Sequence, residues 1–159
     1  TLAQRLVQQW GEPIATPHSG LDRLFPSASA LAVADAQMLG ALGVVRQRQA
    51  AIQGLARAVA DGQLRLAAGA DVPATMAALK ALPGIGDWTA HYIAMRALRW
   101  PDAFPSGDVA LHKALGLQGQ SQPARAAQAL SQAWRPWRSY AVLRAWHSLP
   151  TPTLSSKEN

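Results

Sequence analysis

Apolar residues along this chain recur at spacings of three and four rather than two. In VVRQRQAAIQGLARAVADG, Val45, Ile52, Leu55 and Val59 fall on one face of a helix, and Gly62 is placed to end it. The same pattern predicts helices over residues 2–10, 35–42, 73–81, 87–98, 109–115, 123–134 and 137–148, each flanked by Gly, Pro, Ser or Asp. No stretch alternates apolar and polar residues long enough to argue for a sheet, so the expected fold is all-α. Residues 11–30 (GEPIATPHSGLDRLFPSASA) read as a connection, and residues 150–159 (PTPTLSSKEN) have the composition of a disordered tail. The chain opens with Thr1 inside an amphipathic helix bearing Leu2, Leu6 and Trp10 on one side, and without an initiator Met, which reads as a fragment.

Composition narrows the function. At 159 residues, 49% hydrophobic and 15% charged, the chain can bury a real core, and residues 1–149 are expected to form one domain. Its apolar runs are too short to span a bilayer, so a soluble, intracellular protein is expected. The absence of cysteine excludes disulfides, Cys-ligated zinc, iron–sulfur clusters and thiol catalysis. A formal charge of +6, with twelve of the fifteen cations Arg, points to a polyanionic partner, whether nucleic acid or anionic lipid.

The helical pattern is interrupted at LPGIGDWTA, residues 82–90. Pro83 stops the helix before it, and Gly84 and Gly86 are free to take positive φ, with Ile85 between them available to plug a gap between helices. A second helix starts near Asp87, whose carboxylate favours a helix start but repels a second anion. The unpaired N–H groups there, beside glycines with no Cβ, form a seat into which a phosphate fits. From composition alone an ordinary helix–helix turn is the favoured reading, and the order of the residues changes it.

The order Leu-Pro-Gly-Ile-Gly, two residues, Thr-Ala resembles the hairpin of the helix-hairpin-helix family, which grips DNA backbone without reading sequence. Twenty-four positions beyond Gly84, in FPSGDVALHKALG, stands Asp108. By itself Asp108 is placed to N-cap the helix VALHKAL. With the hairpin at this distance, it resembles the Gly/Pro…Asp element of the base-excision glycosylase superfamily. Together with the tryptophan-rich closing segment AWRPWRSYAVLRAWHSLP, the match over about residues 20–148 resembles 3-methyladenine DNA glycosylase II, the alkylation-repair branch, in its C-terminal part. The resemblance implies a multi-helix glycosylase domain with its hairpin at 79–98, truncated at its N-terminus relative to the family. It also implies a monomeric, cytoplasmic and nucleoid-associated enzyme acting on double-stranded DNA with alkylated bases, without a membrane.

What the resemblance carries over can be named residue by residue. Asp108 becomes the catalytic carboxylate. Trp88, Tyr92 and Trp146 become the walls of the base pocket, where electron-rich rings attract a flat cationic purine. Gly84, Ile85, Gly86 and Thr89 become the backbone grip, and the carbonyls near Leu82 and Ile85 a site for K⁺ or Na⁺, with no metal held by side chains. Bifunctional relatives carry a Schiff-base lysine where this chain has Trp88, and neither Lys80, Lys113 nor Lys157 replaces it, so a monofunctional glycosylase is expected. The helical spacing of Trp88 and Tyr92 would also suit a core stripe, and Trp134 and Trp137 read as core aromatics with wet edges. His91 and His112 read as surface or packing residues, and His18 and His147 make no metal-ligand spacing. The rivals are a non-catalytic duplex-binding module in which Asp108 is only a cap, and a bifunctional glycosylase-lyase.

Overall fold

The computed structural model describes residues 1–150. Among them are nine α-helices: α1 (Leu2–Trp10), α2 (Ala28–Ala32), α3 (Ala36–Ala41), α4 (Arg46–Ala60), α5 (Val72–Ala81), α6 (Asp87–Arg96), α7 (Val109–Ala114), α8 (Pro123–Leu130) and α9 (Arg138–His147). A 3₁₀ turn covers Ser131–Trp134, so the single helix expected over 123–134 tightens in its last turn. Extended pairing among the described residues is limited to one isolated bridge, Pro13 with Arg23. The expected tail lies, except for Pro150, outside the described residues. The chain divides into two compact units, Thr1–Gly86 and the segment from Asp87 onward.

In the first unit the helix starts are set by short polar side chains. Thr1 is the N-cap of α1 rather than part of it, and it forms a reciprocal capping box with Gln4. Ser27, Asp35 and Asp71 cap α2, α3 and α5 through their side-chain oxygens. Helix α2 begins in the last residues of the stretch expected to be only a connection and runs just past it; at five residues it is too short to show periodicity. Leu6, Ala34, Leu39 and Val44 form a core against which Leu2, Trp10, Leu42 and Ile52 pack. Each fully buried Leu contributes about 1.5–3 kcal/mol. Gln53 Nε2 donates to the Ala34 carbonyl at 2.7 Å, and Arg57 Nε donates to the Ala32 carbonyl, which anchors α4 to the end of α2. The expected α4 face is only partly buried: Val45 is an exposed N-cap, while Ile52, Leu55 and Val59 line an open apolar groove with Leu6 and Leu31.

The break at residues 82–86 ends this unit. Leu82 is extended, Gly84 sits at φ +81°, and Ile85 N–H donates to the Leu82 carbonyl at 3.1 Å while its side chain is buried. A Cβ on Gly84 would come within 2.9 Å of Ala51 Cβ on α4. Gly86 has no positive φ, contrary to the expectation, and a Cβ there would meet open space. Gly84→Ala should therefore destabilise the fold by about 1–3 kcal/mol through backbone strain and overpacking, whereas Gly86→Ala should cost at most about 1 kcal/mol, as read by urea unfolding.

The second unit is built from α6 to α9. Ala90 and Ala94, fully buried on one face of α6, allow close packing, and Met95, Leu98, Phe104, Leu111, Leu117, Ala127 and Val142 complete the buried set. Trp137 is 58% exposed, not a core residue, and lies 5.9 Å from Tyr140. Trp134 meets Phe104 edge-on at 6.1 Å, as expected of a half-buried ring.

Candidate active site

The site grows out of the loop between α6 and α7. Residues Asp102, Ala103, Phe104 and Pro105 of this loop are buried, so its polar groups need partners inside the protein. Backbone N–H groups of Ser106 and Asp108 donate to the Phe104 and Pro105 carbonyls, and side chains meet other groups of the loop. Ser139 Oγ accepts from Ala103 N–H at 3.0 Å and lies 2.8 Å from the Trp100 carbonyl, to which it donates. His91 Nδ1 accepts from Phe104 N–H at 3.2 Å, which fixes that nitrogen as unprotonated. His112 Nε2 reaches the Ser106 carbonyl at 2.6 Å, and because a carbonyl only accepts, the proton lies on Nε2. The two histidines are thus packing residues, as expected, but what they pack is the loop that delivers Asp108.

An ion-pair cluster anchors the start of the loop. Arg138 Nε and Nη2 donate to the two carboxylate oxygens of Asp102 at 2.6 and 2.8 Å, Nη2 also donates to its backbone carbonyl, and Arg135 adds a third side chain at 3.1 Å. Asp102 and Arg138 are both buried. Burial by itself would raise the Asp102 pKa, but the hydrogen bonds from Arg138 and Arg135 and their charges outweigh it and hold the carboxyl below the usual carboxylate value. Nothing in the sequence reading marked this pair, because thirty-six positions separate its members and neither belongs to a local pattern.

Asp108 follows the loop and N-caps α7, accepting from Leu111 N–H through Oδ1. Two indoles complete its shell. Trp146 Nε1 donates to Oδ1 at 3.1 Å, and Trp88 Nε1 donates to Oδ2 at 2.5 Å. Asp108 is only 8% exposed, and its carboxylate meets three N–H donors, a set matched to an acceptor-only group. Trp88 and Tyr92, one turn apart on α6, stack at 5.2 Å with planes 9° apart, and Tyr92 lies 6.1 Å from the ring of Trp146. Both rings on α6 remain partly exposed, at 42% and 37%, so they form a surface rather than a core stripe.

These residues line one open cleft of about 880 Å³. The structure therefore brings Asp108, Trp88, Tyr92 and Trp146 together within the second unit. Val109, Ala110, Lys113, Gln118 and His147 also line it and were not singled out as pocket residues from the sequence. The i, i+1, i+4 placement of Val109, Ala110 and Lys113 after the cap was the signal that could have found three of them. Thr89 lies half-buried in the first turn of α6, and Asp87 turns aside to His91, with Oδ2 3.6 Å from Nε2. Gly84 and Gly86 are exposed, while the Ile85 amide is spent within the turn. The described residues include no group of three or more His, Asp or Glu side chains able to hold a metal. No described helix is long and apolar enough to cross a membrane.

Comparison with known proteins extends this picture. The chain is 43% identical over 152 residues to the probable bifunctional transcriptional activator/DNA repair enzyme AlkA of Mycobacterium tuberculosis, covering 96% of this chain and 30% of that protein. It is 35% identical over 147 residues to DNA-3-methyladenine glycosylase 2 of Escherichia coli, covering 92% of this chain and half of the relative. The solved 3-methyladenine DNA glycosylase Mag1 of Schizosaccharomyces pombe, in complex with abasic DNA, superposes with a TM-score of 0.64 at 19% identity, over 77% of this chain and 62% of that one. No family model matches the chain. The chain thus spans between about a third and a half of the curated relatives it matches. Along nearly all of its length the chain is thus similar to a region of the 3-methyladenine DNA glycosylase relatives, and its all-helical fold is shared with the solved glycosylase.

Proposed function

We propose that this chain carries the active site of a monofunctional DNA glycosylase that hydrolyses the N-glycosidic bond of alkylated purines after rotating the damaged nucleotide out of the duplex. The observation that carries the reading is the carboxylate of Asp108, held by two indole N–H groups in the lining of a cleft that also bears Tyr92. Stacked indole and phenol faces attract a flat cation, and N3- or N7-alkylated purines are cationic. Extrusion favours such lesions because a weakened pair costs less to open.

The chemistry needs one carboxylate. The sugar passes through an oxocarbenium-like state, as in glycoside hydrolysis, but a base that is already cationic departs without a protein acid. Asp108 is left to stabilise the developing sugar cation and to orient water, and its low exposure makes that attraction stronger than it would be in bulk solvent. The hairpin supports the same reading: Gly84 and Gly86 are exposed, and the side of Gly86 where a Cβ would stand is open space that a phosphate could approach, with Thr89 following in the first turn of α6. The Leu82 carbonyl already accepts one hydrogen bond and keeps a second lone pair, so with the Ile85 carbonyl it fits a monovalent cation that would bridge hairpin and phosphate.

The test is incubation of the full-length protein with methylated duplex DNA. Release of free 3-methyladenine, with strand breaks only after alkali, is the expected result. DNA binding without release would favour the non-catalytic module, and breaks before alkali would favour a lyase. Trp88→Phe keeps a ring against Tyr92 but removes one donor from Asp108, and should slow single-turnover excision about tenfold, the worth of one hydrogen bond to a charged group.

A further inference from the structure

The cleft holds one full cation that the chemistry above does not use. Lys113 shares a face of α7 with Val109 and Ala110, and lines the same cleft as Asp108. It is exposed, and among the described residues it enters no ion pair: Asp102 is taken by Arg135 and Arg138, Asp87 faces His91, and Asp108 accepts from three N–H groups. A cation in the wall of a pocket for a cationic base would work against binding by like-charge repulsion. Asp108 alone balances the charge of the lesion or of the sugar. The remaining positive charge calls for an anion from the ligand, and the anions of DNA are its phosphodiesters.

Size and reach agree. A cleft of about 880 Å³ is large enough for a whole nucleotide rather than a base alone. Lysine offers a compact point charge on a flexible stem, which meets a phosphate without demanding one orientation. Resting on the glycosylase reading, we infer that Lys113 is a phosphate anchor: its ammonium pairs with a phosphodiester flanking the extruded nucleotide and holds that nucleotide in the cleft in preference to the stacked duplex. The anchor is separate from the hairpin grip, which acts on undamaged and damaged backbone alike.

The experiment measures binding, so it needs no bond cleavage. Duplex DNA carrying a tetrahydrofuran abasic analogue is titrated against the full-length wild type, Lys113→Gln and Lys113→Arg, with each flanking phosphate in turn replaced by a neutral methylphosphonate. Lys113→Gln should weaken binding to this DNA about tenfold, while Lys113→Arg retains most of it, the loss expected for one charge-assisted contact. Undamaged duplex should bind all three proteins within about twofold, as for a contact made only with the extruded nucleotide. Neutralising one particular flanking phosphate should cost the wild type about tenfold and Lys113→Gln almost nothing, since the pair is already broken. Equal losses with and without Lys113 at both phosphates would overturn the anchor, as would equal weakening on damaged and undamaged DNA. A borohydride-trapped adduct on Lys113 with a natural abasic site would also overturn it, by making the amine a nucleophile. Release of 3-methyladenine by the wild type is scored separately, so failure of the glycosylase reading and failure of the anchor give different results.

Discussion

Asp108→Asn should lower the rate of base excision by at least about a hundredfold while leaving duplex binding within a factor of about two. Asn is as good an N-cap as Asp, so α7 keeps its start and the fold is preserved. The site does not keep its chemistry. With the amide oxygen facing Leu111 N–H and Trp146 Nε1, the amide nitrogen faces Trp88 Nε1, which is also a donor, and one hydrogen bond becomes a donor–donor contact. The negative charge that would meet the sugar cation is gone as well. Single-turnover release of 3-methyladenine, alongside binding to abasic-analogue DNA, separates the two effects. Near-normal excision by this variant would remove Asp108 from the mechanism and leave it as a helix cap.

The second large effect is on stability. Asp102→Ala should destabilise the protein by about 3–5 kcal/mol, because it leaves Arg138 buried without its carboxylate. Pairing that change with Arg138→Met should recover most of the loss, since removing both charges also removes the desolvation cost of the survivor. The same pair sets an acid limit. The Asp102 pKa is lowered on folding, so its contribution is complete above the unfolded carboxyl value, about 3.9, and is lost as pH falls through the folded value. This pair should therefore contribute a level term to urea-unfolding free energies between about pH 7 and 5 and a declining one below about pH 4. Replacing Asp102 should flatten that decline.

These predictions also show which parts of the protein could be read from its residues. Helix positions followed from local periodicity and from flanking residues such as Asp71 and Asp108, which mark helix starts even where, as in six-residue α7, the helix is shorter than two turns. Helix α2 escaped because it has five residues and takes its stability from packing and from Gln53 and Arg57 on α4. The stacking of Trp88 on Tyr92 was legible as well, because residues four apart on a helix must be neighbours. The hairpin was legible in its proline and glycines, though the positive φ belongs to Gly84 alone.

Contacts between residues far apart in the chain lay beyond local pattern, and only the family resemblance had grouped Asp108 with Trp88, Tyr92 and Trp146. Trp146 meets Asp108 across thirty-eight positions, and Arg138 meets Asp102 across thirty-six. Composition is indifferent to whether an indole at residue 146 points at a carboxylate or at solvent. His91 and His112 looked bland for the same reason, since their value depends on which loop lies within reach of each ring nitrogen. Taken by itself, then, the sequence determined where the helices lie, where the chain turns and which residues could do chemistry, because those properties are settled by neighbours within about four positions. Only the tertiary structure decided that both indole N–H groups meet one buried carboxylate and that a lysine joins them in the cleft, because packing selects distant partners through shape and through the need to satisfy every buried polar group.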